Sequence, residues 1–227
     1  MSSTQVLGVD ACAGGWCGVL LRGRAISVHR AEHIDTLVHE VAGPLDVVAI
    51  DMPIGLADDG PRAPDLAVRR LVGPRASSVF FTPVRCAIEA PTHAEASLLS
   101  RERTGRGVSA QAFALRRKIL EVERWVRNAG CRAIEVHPEV SFARMAGRHL
   151  PPKKSWAGMH QRQSLLAEAG IVMPNDIGPM GSRIAVDDVL DAAAAAWSAR
   201  RRADGSAVPY PDPPVRYGDG WDCAIWV

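Results

Sequence analysis

The amino-acid sequence predicts an α/β fold: a mixed five-stranded sheet with helices on both faces and an irregular helical insertion. Two apolar runs, Val6-Leu7-Gly8-Val9 and Val47-Val48-Ala49-Ile50, have the unbroken character of strands covered on both sides. Elsewhere apolar residues recur at helical spacing, as in the stripe Ala112, Leu115, Ile119, Val122 and Val126. Between these regions Pro53, Pro61, Pro64, Pro74, Pro83 and Pro91 interrupt regular structure.

Taken in order, 5–10 reads as a strand, Gly14-Gly15 as a turn, 16–21 as a second strand and, after Gly23, 25–30 as a third. Ile34, Leu37, Val38 and Val41 mark a helix over 33–42, stopped by Gly43-Pro44. The fourth strand is 45–51, closed by Met52-Pro53. An insertion at about 53–109 follows within a single domain of 1–227, with short helices near 64–72 and 92–101. Ser109 caps a long helix over 109–128, and Gly130 closes it. The fifth strand is 132–137. Residues 154–169 are helical, 174–185 a loop and 186–202 the last helix. The Pro-rich tail 208–214 leads to a short strand at Cys223-Ala224-Ile225-Trp226. Hairpin-linked strands followed by crossovers make a mixed sheet, and a crossover returns its strand parallel. The fourth strand then lies beside the first, with both C-terminal ends at one edge.

With 227 residues, 47% of them hydrophobic, the chain has enough apolar material for a full core. No apolar run is long enough for a membrane span, and the N-terminus has no leader pattern, so a cytoplasmic protein is expected. The five cysteines include no CxxC pair and read as small buried hydrophobes, excluding a zinc ribbon. A net charge of +2 is too small for an avid whole-surface nucleic-acid binder, so contact with RNA or DNA would come from local patches. Oligomeric state is not readable.

The acids carry the chemistry. Asp10 and Asp51 each end an apolar strand, where an unpaired carboxylate is costly. Asp187, Asp188 and Asp191 open the last helix. Capping explains acids in a first turn but not Asp191, in the second. Ala192 to Ala196 have little bulk, which lets this helix approach the sheet and brings its acids over the two strand ends. Converging carboxylates need protons or cations, and hard oxygen donors suit Mg²⁺ or Mn²⁺. The expected catalytic set is Asp10, Asp51, Asp188 and Asp191, with Asp187 and Glu135 as further metal ligands and Glu139 as the alternative to Glu135. Such a site performs metal-assisted phosphodiester hydrolysis. Expected substrate contacts are Arg75, Ser77, Ser78, His137, Lys153 and Lys154, although a histidine before a proline also serves purely structural ends.

The segments 9–16 (VDACAGGW), 50–56 (IDMPIGL), 75–80 (RASSVF), 135–142 (EVHPEVSF), 153–158 (KKSWAG) and 187–193 (DDVLDAA), with Gln111-Ala112, resemble domain-of-unknown-function family 429 over nearly the full length. The resemblance implies a ribonuclease-H-like fold and a nuclease. In that superfamily acids come from the first strand, the fourth strand and the last helix, which maps onto Asp10, Asp51 and the cluster Asp187, Asp188 and Asp191. Ribonuclease H carries a Glu on its first helix, whereas here only Glu40 lies there, at the far end. The likeness is therefore closer to Holliday-junction resolvases.

Two other classes remain open. A non-catalytic module would bind nucleic acid or a nucleotide through Arg75, Ser77, Ser78, Lys153 and Lys154. An actin- or sugar-kinase-type phosphotransferase would use Asp10 to Gly15 as its phosphate hairpin, but needs two related halves where this chain shows one.

Overall fold

A computed structural model describes residues 4–41, 43–72 and 79–227. The chain divides into two compact units, one of Met1–Met52, Asn128–Val208 and Trp226–Val227, the other of Pro53–Arg127 and Pro209–Ile225.

The first unit starts with an antiparallel meander, β1 (Gln5–Cys12), β2 (Gly15–Arg22) and β3 (Ala25–Ala31). After helix α1 (Ile34–Glu40), β4 (Val47–Ile50) lies parallel to β1 and β5 (Arg132–Glu135) parallel to β4. The order is β3-β2-β1-β4-β5. β1 and β4 are buried almost throughout, consistent with their unbroken apolar sequences.

Helices α2 (Ala63–Val72), α3 (Arg85–Glu89), α4 (His93–Thr104) and α5 (Ala110–Asn128) follow β4 in the chain. Beyond β5 come α6 (Pro138–Ala146), α7 (Trp156–Glu168), a 3₁₀ turn over Gly178–Ser182 and α8 (Val186–Asp204). The C-terminal segment forms β6 (Pro209–Arg216) and β7 (Asp222–Trp226), which neighbour each other.

The described residues form seven strands, two beyond the five-stranded sheet expected, with β7 at the position of the expected short strand 223–226. β6 escaped the sequence reading because Pro209, Pro211, Pro213 and Pro214 cannot donate to a ladder. An edge strand tolerates them, and β6 is paired on one side only.

Register assigns α8 and α1 to opposite faces. Gly8 pairs with Val19, and a Cβ on Gly8 would overlap the backbone of Ala192, Ala195 and Ala196 in α8. Gly18, paired with Val9 and so on the other face, sits against Leu37 of α1. Ala192 to Ala196 are wholly buried. Glycine on the strand and alanine on the helix allow a closer approach than larger side chains would.

In the second unit, Thr92 caps α4 by accepting from the Glu95 amide at 3.3 Å, and Ser109 caps α5 by accepting from Ala112 at 3.1 Å. Val84, Ala87, Ala90, Ala96, Val108 and Ala112 form its packed core. Buried Arg62 is neutralised by Asp65 at 3.3 Å, and Asp65 also accepts from the Thr82 amide at 2.7 Å.

Candidate functional site

The β-ladder sets where the acids point. Val9 pairs with Ile50, and the Asp51 amide donates to the Val9 carbonyl at 2.9 Å, so Asp10 and Asp51 follow one another across adjacent parallel strands. Side chains alternate along a strand, and Asp10 shares the face of Gly8, which is the face of α8. Asp51 shares it, because its neighbour Ile50 pairs with Val9 on the other face. Asp191, one residue before the alanine run, is 3% exposed, and Asp10 is 7% exposed. Asp187 and Asp188 lie half-buried in the first turn of α8.

Loss of water governs the protonation of these groups, and proximity adds to it. Burial first, then the charges of Asp51, Asp191 and Asp188, hold the Asp10 carboxyl well above the usual range. Asp51 is pushed up to about 7 by burial, with Lys153 opposing and Glu139 adding to the rise. Asp191 is raised to about 6, again chiefly by burial and against the pull of Lys153. Burial and then the neighbouring Asp187 raise Asp188. Cys17, paired with Asp10 in the ladder, is pushed up by burial, with the acids contributing.

Lys153 is the counter-charge. Its Nζ donates to Asp191 Oδ2 at 2.5 Å and lies 3.6 Å from Asp187 Oδ2. Its positive charge favours ionisation of Asp10, Asp51, Asp188 and Asp191 alike. The opposite oxygen, Asp191 Oδ1, is buried and has no hydrogen-bond partner among the described residues. Asp10 Oδ1 accepts from the Ala11 amide at 2.7 Å.

The other expected residues take varied positions. Glu135 is buried, but it pairs with Ile50, so its side chain leaves β5 on the face opposite to Asp10 and Asp51. Glu139, from the first turn of α6, is the acid whose charge bears on Asp51 and Asp191; it is held by Arg162 at 2.6 Å. His137 precedes α6, and its carbonyl accepts from the Ser141 amide at 3.1 Å. Lys154 is exposed beside the acids, lowering Asp188. Arg75, Ser77 and Ser78 lie outside the described residues. Lys153, expected from sequence as a substrate contact, is paired with Asp191. No spacing rule links residues 38 positions apart.

A metal fits the chemistry of this donor set. Buried Asp10 and Asp191 stand with half-buried Asp51 in one group, the charges of Asp51 and Asp191 disfavouring ionised Asp10 and that of Asp51 disfavouring ionised Asp191, and Asp191 retains an oxygen without a donor. They do not form a finished shell: among the described residues, no group of three or more His, Cys, Asp or Glu is arranged to hold an ion. Lys153 supplies the positive charge instead.

The model of the family described as protein of unknown function (DUF429) matches residues 8–216. The chain belongs to that family. The matched span takes in both strand-end acids, the acids of α8 and Lys153. No curated protein and no solved structure matches the chain. No helix among the described residues is long and apolar enough to cross a membrane.

Proposed function

We propose that this DUF429 member is a metal-dependent nuclease of ribonuclease-H-like fold, hydrolysing phosphodiester bonds of RNA or DNA. The observation that carries the reading is the meeting of Asp10, Asp51 and Asp191 on one face, all with raised pKa values, with Asp191 Oδ1 buried and unpartnered. Asp10, Asp51 and Asp191 are the residues to hold Mg²⁺ or Mn²⁺, with Asp188 at the half-buried side of the group. Bound there, a divalent pair supplies an activated water and stabilises the leaving oxygen. The protein's own contribution is to keep the carboxylates rigid: two sit at strand ends and the third on a helix locked to the sheet by small residues. Lys153 neutralises Asp191, a role that a cation held by that carboxylate would share.

Purified protein incubated in Mn²⁺ with single-stranded, duplex and junction substrates tests the reading. Cleavage is expected, and Asp10→Asn or Asp51→Asn should lower it by at least the roughly 10- to 100-fold that loss of a mere supporting group costs a metal site. Absence of cleavage across the panel, or cleavage indifferent to both variants, sinks the proposal.

The 2.5 Å pairing of Lys153 with Asp191 favours a second reading, a metal-free binding module in which the acids only position lysine. That module would bind nucleic acid equally well with a chelator present and after Asp51→Asn.

A further inference from the structure

Trp156, the first residue of α7, is 75% exposed, more than Leu71, Leu98, Val172 or Val186. An indole left in water at that level forgoes much of its burial energy, and exposed aromatics beside cations recur where ligands bind. The ring is braced by His160 one turn on, edge to face at 4.8 Å between centroids. Ser155 fixes the start of the helix by accepting from the Gly158 amide at 3.1 Å. Gly158 in turn packs so closely on Pro152 that a Cβ there would overlap the Pro152 carbonyl. The segment carrying Lys153, Lys154 and Trp156 is therefore held firmly against its own helix.

Trp156 borders an open cleft of about 250 Å³, with Lys153, Lys154, Met159, Val186 and Asp187 among its walls. Lys153 and Asp187 belong also to the acid cluster, so cleft and cluster are continuous. Lys154 is exposed and forms no ion pair among the described residues, yet its charge bears on Asp188. An aromatic plate, an uncommitted cation and a carboxylate wall thus stand in sequence beside the acids. The Asp187 side repels phosphate, which leaves the Lys154 side to receive it.

We propose that this cleft is a subsite for single-stranded nucleic acid, in which an unpaired base stacks on Trp156 while Lys154 takes the adjoining phosphate. A duplex offers no free base face, because its bases already stack on their neighbours. Stacking is indifferent to base identity, so the subsite selects strandedness and not sequence. The proposal specifies the substrate class for the nuclease reading and rests on it only for the place of the cleft beside the acids.

The test is fluorescence anisotropy of labelled 12-nucleotide single strands and of the matching duplex, in low salt, once in EDTA and once in Ca²⁺. Wild-type protein, Trp156→Ala, Trp156→Phe and Lys154→Ala are compared. Single strands should bind more tightly than duplex. Trp156→Ala should weaken single-strand binding by roughly 5- to 150-fold and leave duplex binding unchanged. Trp156→Phe should restore most of the loss, and Lys154→Ala should flatten the salt dependence. Equal single-strand affinity of Trp156→Ala and wild type overturns the proposal, as does absence of single-strand binding by wild type in both conditions. Mn²⁺-dependent cleavage with an inert Trp156→Ala would remove the subsite and keep the nuclease. Trp156-dependent binding without any cleavage would do the reverse.

Discussion

Burial of Asp51 costs the protein stability whenever that carboxyl must ionise. Its pKa rises from an ordinary 3.8 to about 7, so the folded state holds a proton that the unfolded state has already released. Folding stability is therefore highest below the unfolded value and falls as pH climbs from about 4 to about 7. Asp191, raised to about 6, acts in the same direction and is partly offset by Lys153. In the metal-free protein at pH 8, Asp51→Asn should stabilise by roughly 2 to 4 kcal/mol, read by urea denaturation. At pH 4 the two proteins should unfold together. On the proposed metal-dependent reading Mn²⁺ would compete with these protons, so its stabilising effect on the wild type should grow over the same pH interval and be lost in Asp51→Asn. A denaturation difference that ignores pH would show that the Asp51 proton is not what burial controls.

Among the elements, α8 and β1 together decide whether the site exists. Gly8 has no Cβ where α8 presents the backbone of Ala192, Ala195 and Ala196, and every alanine from Ala192 to Ala196 is fully buried. A methyl group at Gly8 forces the helix outward and carries Asp191 with it. Gly8→Ala should cost about 1 to 3 kcal/mol or more in denaturant unfolding. It should also weaken Mn²⁺ binding in calorimetry, although residue 8 carries no ligand. Unchanged Mn²⁺ affinity in a destabilised Gly8→Ala would separate the packing of α8 from the geometry of its acids. The short elements tell a different story. α3 has five residues and α6 nine, too little periodicity to declare a helix, and α6 begins at a proline that reads as readily as a loop. In sequence its Glu139 stands as an alternative to Glu135, and the ladder turns Glu135 to the face opposite Asp10 and Asp51.

In the whole molecule, the second unit is discontinuous in sequence and depends on contacts between distant segments. Arg85 reaches Glu123 at 2.8 Å and Asp219 at 2.9 Å, while Asp219 also accepts from the Leu56 amide at 2.7 Å. The Tyr217 hydroxyl accepts from the Ala63 amide, also at 2.7 Å. Asp219 is 2% exposed at its side chain, so its removal leaves both Arg85 and an amide short of an acceptor. Arg85 keeps Glu123, so Asp219→Ala should destabilise by roughly 1 to 3 kcal/mol in denaturant unfolding, the cost of a buried hydrogen-bonding group left without its partner. A change below about 0.5 kcal/mol, normal for a surface substitution, would mean that the tail is not tied to Arg85 in solution.

The local features of the chain were legible before folding: the apolar runs of β1 and β4, the stripe of α5 with its Ser109 cap, and acids standing at the ends of strands and the start of α8. Each depends on near neighbours, because strand alternation, helical spacing and capping extend over only a few residues. Family membership was legible too, since motifs survive as ordered short segments. The proline-bearing β6, the face of Glu135 and the pairing of Lys153 with Asp191 were decided only in three dimensions. Their causes are an edge that needs no second partner, a ladder register, and a charge balance between groups far apart in the chain. Short-range chemistry thus announced the acids, whereas the long-range burial that raises their pKa values and draws Lys153 to them exists only once β1, β4 and α8 have packed.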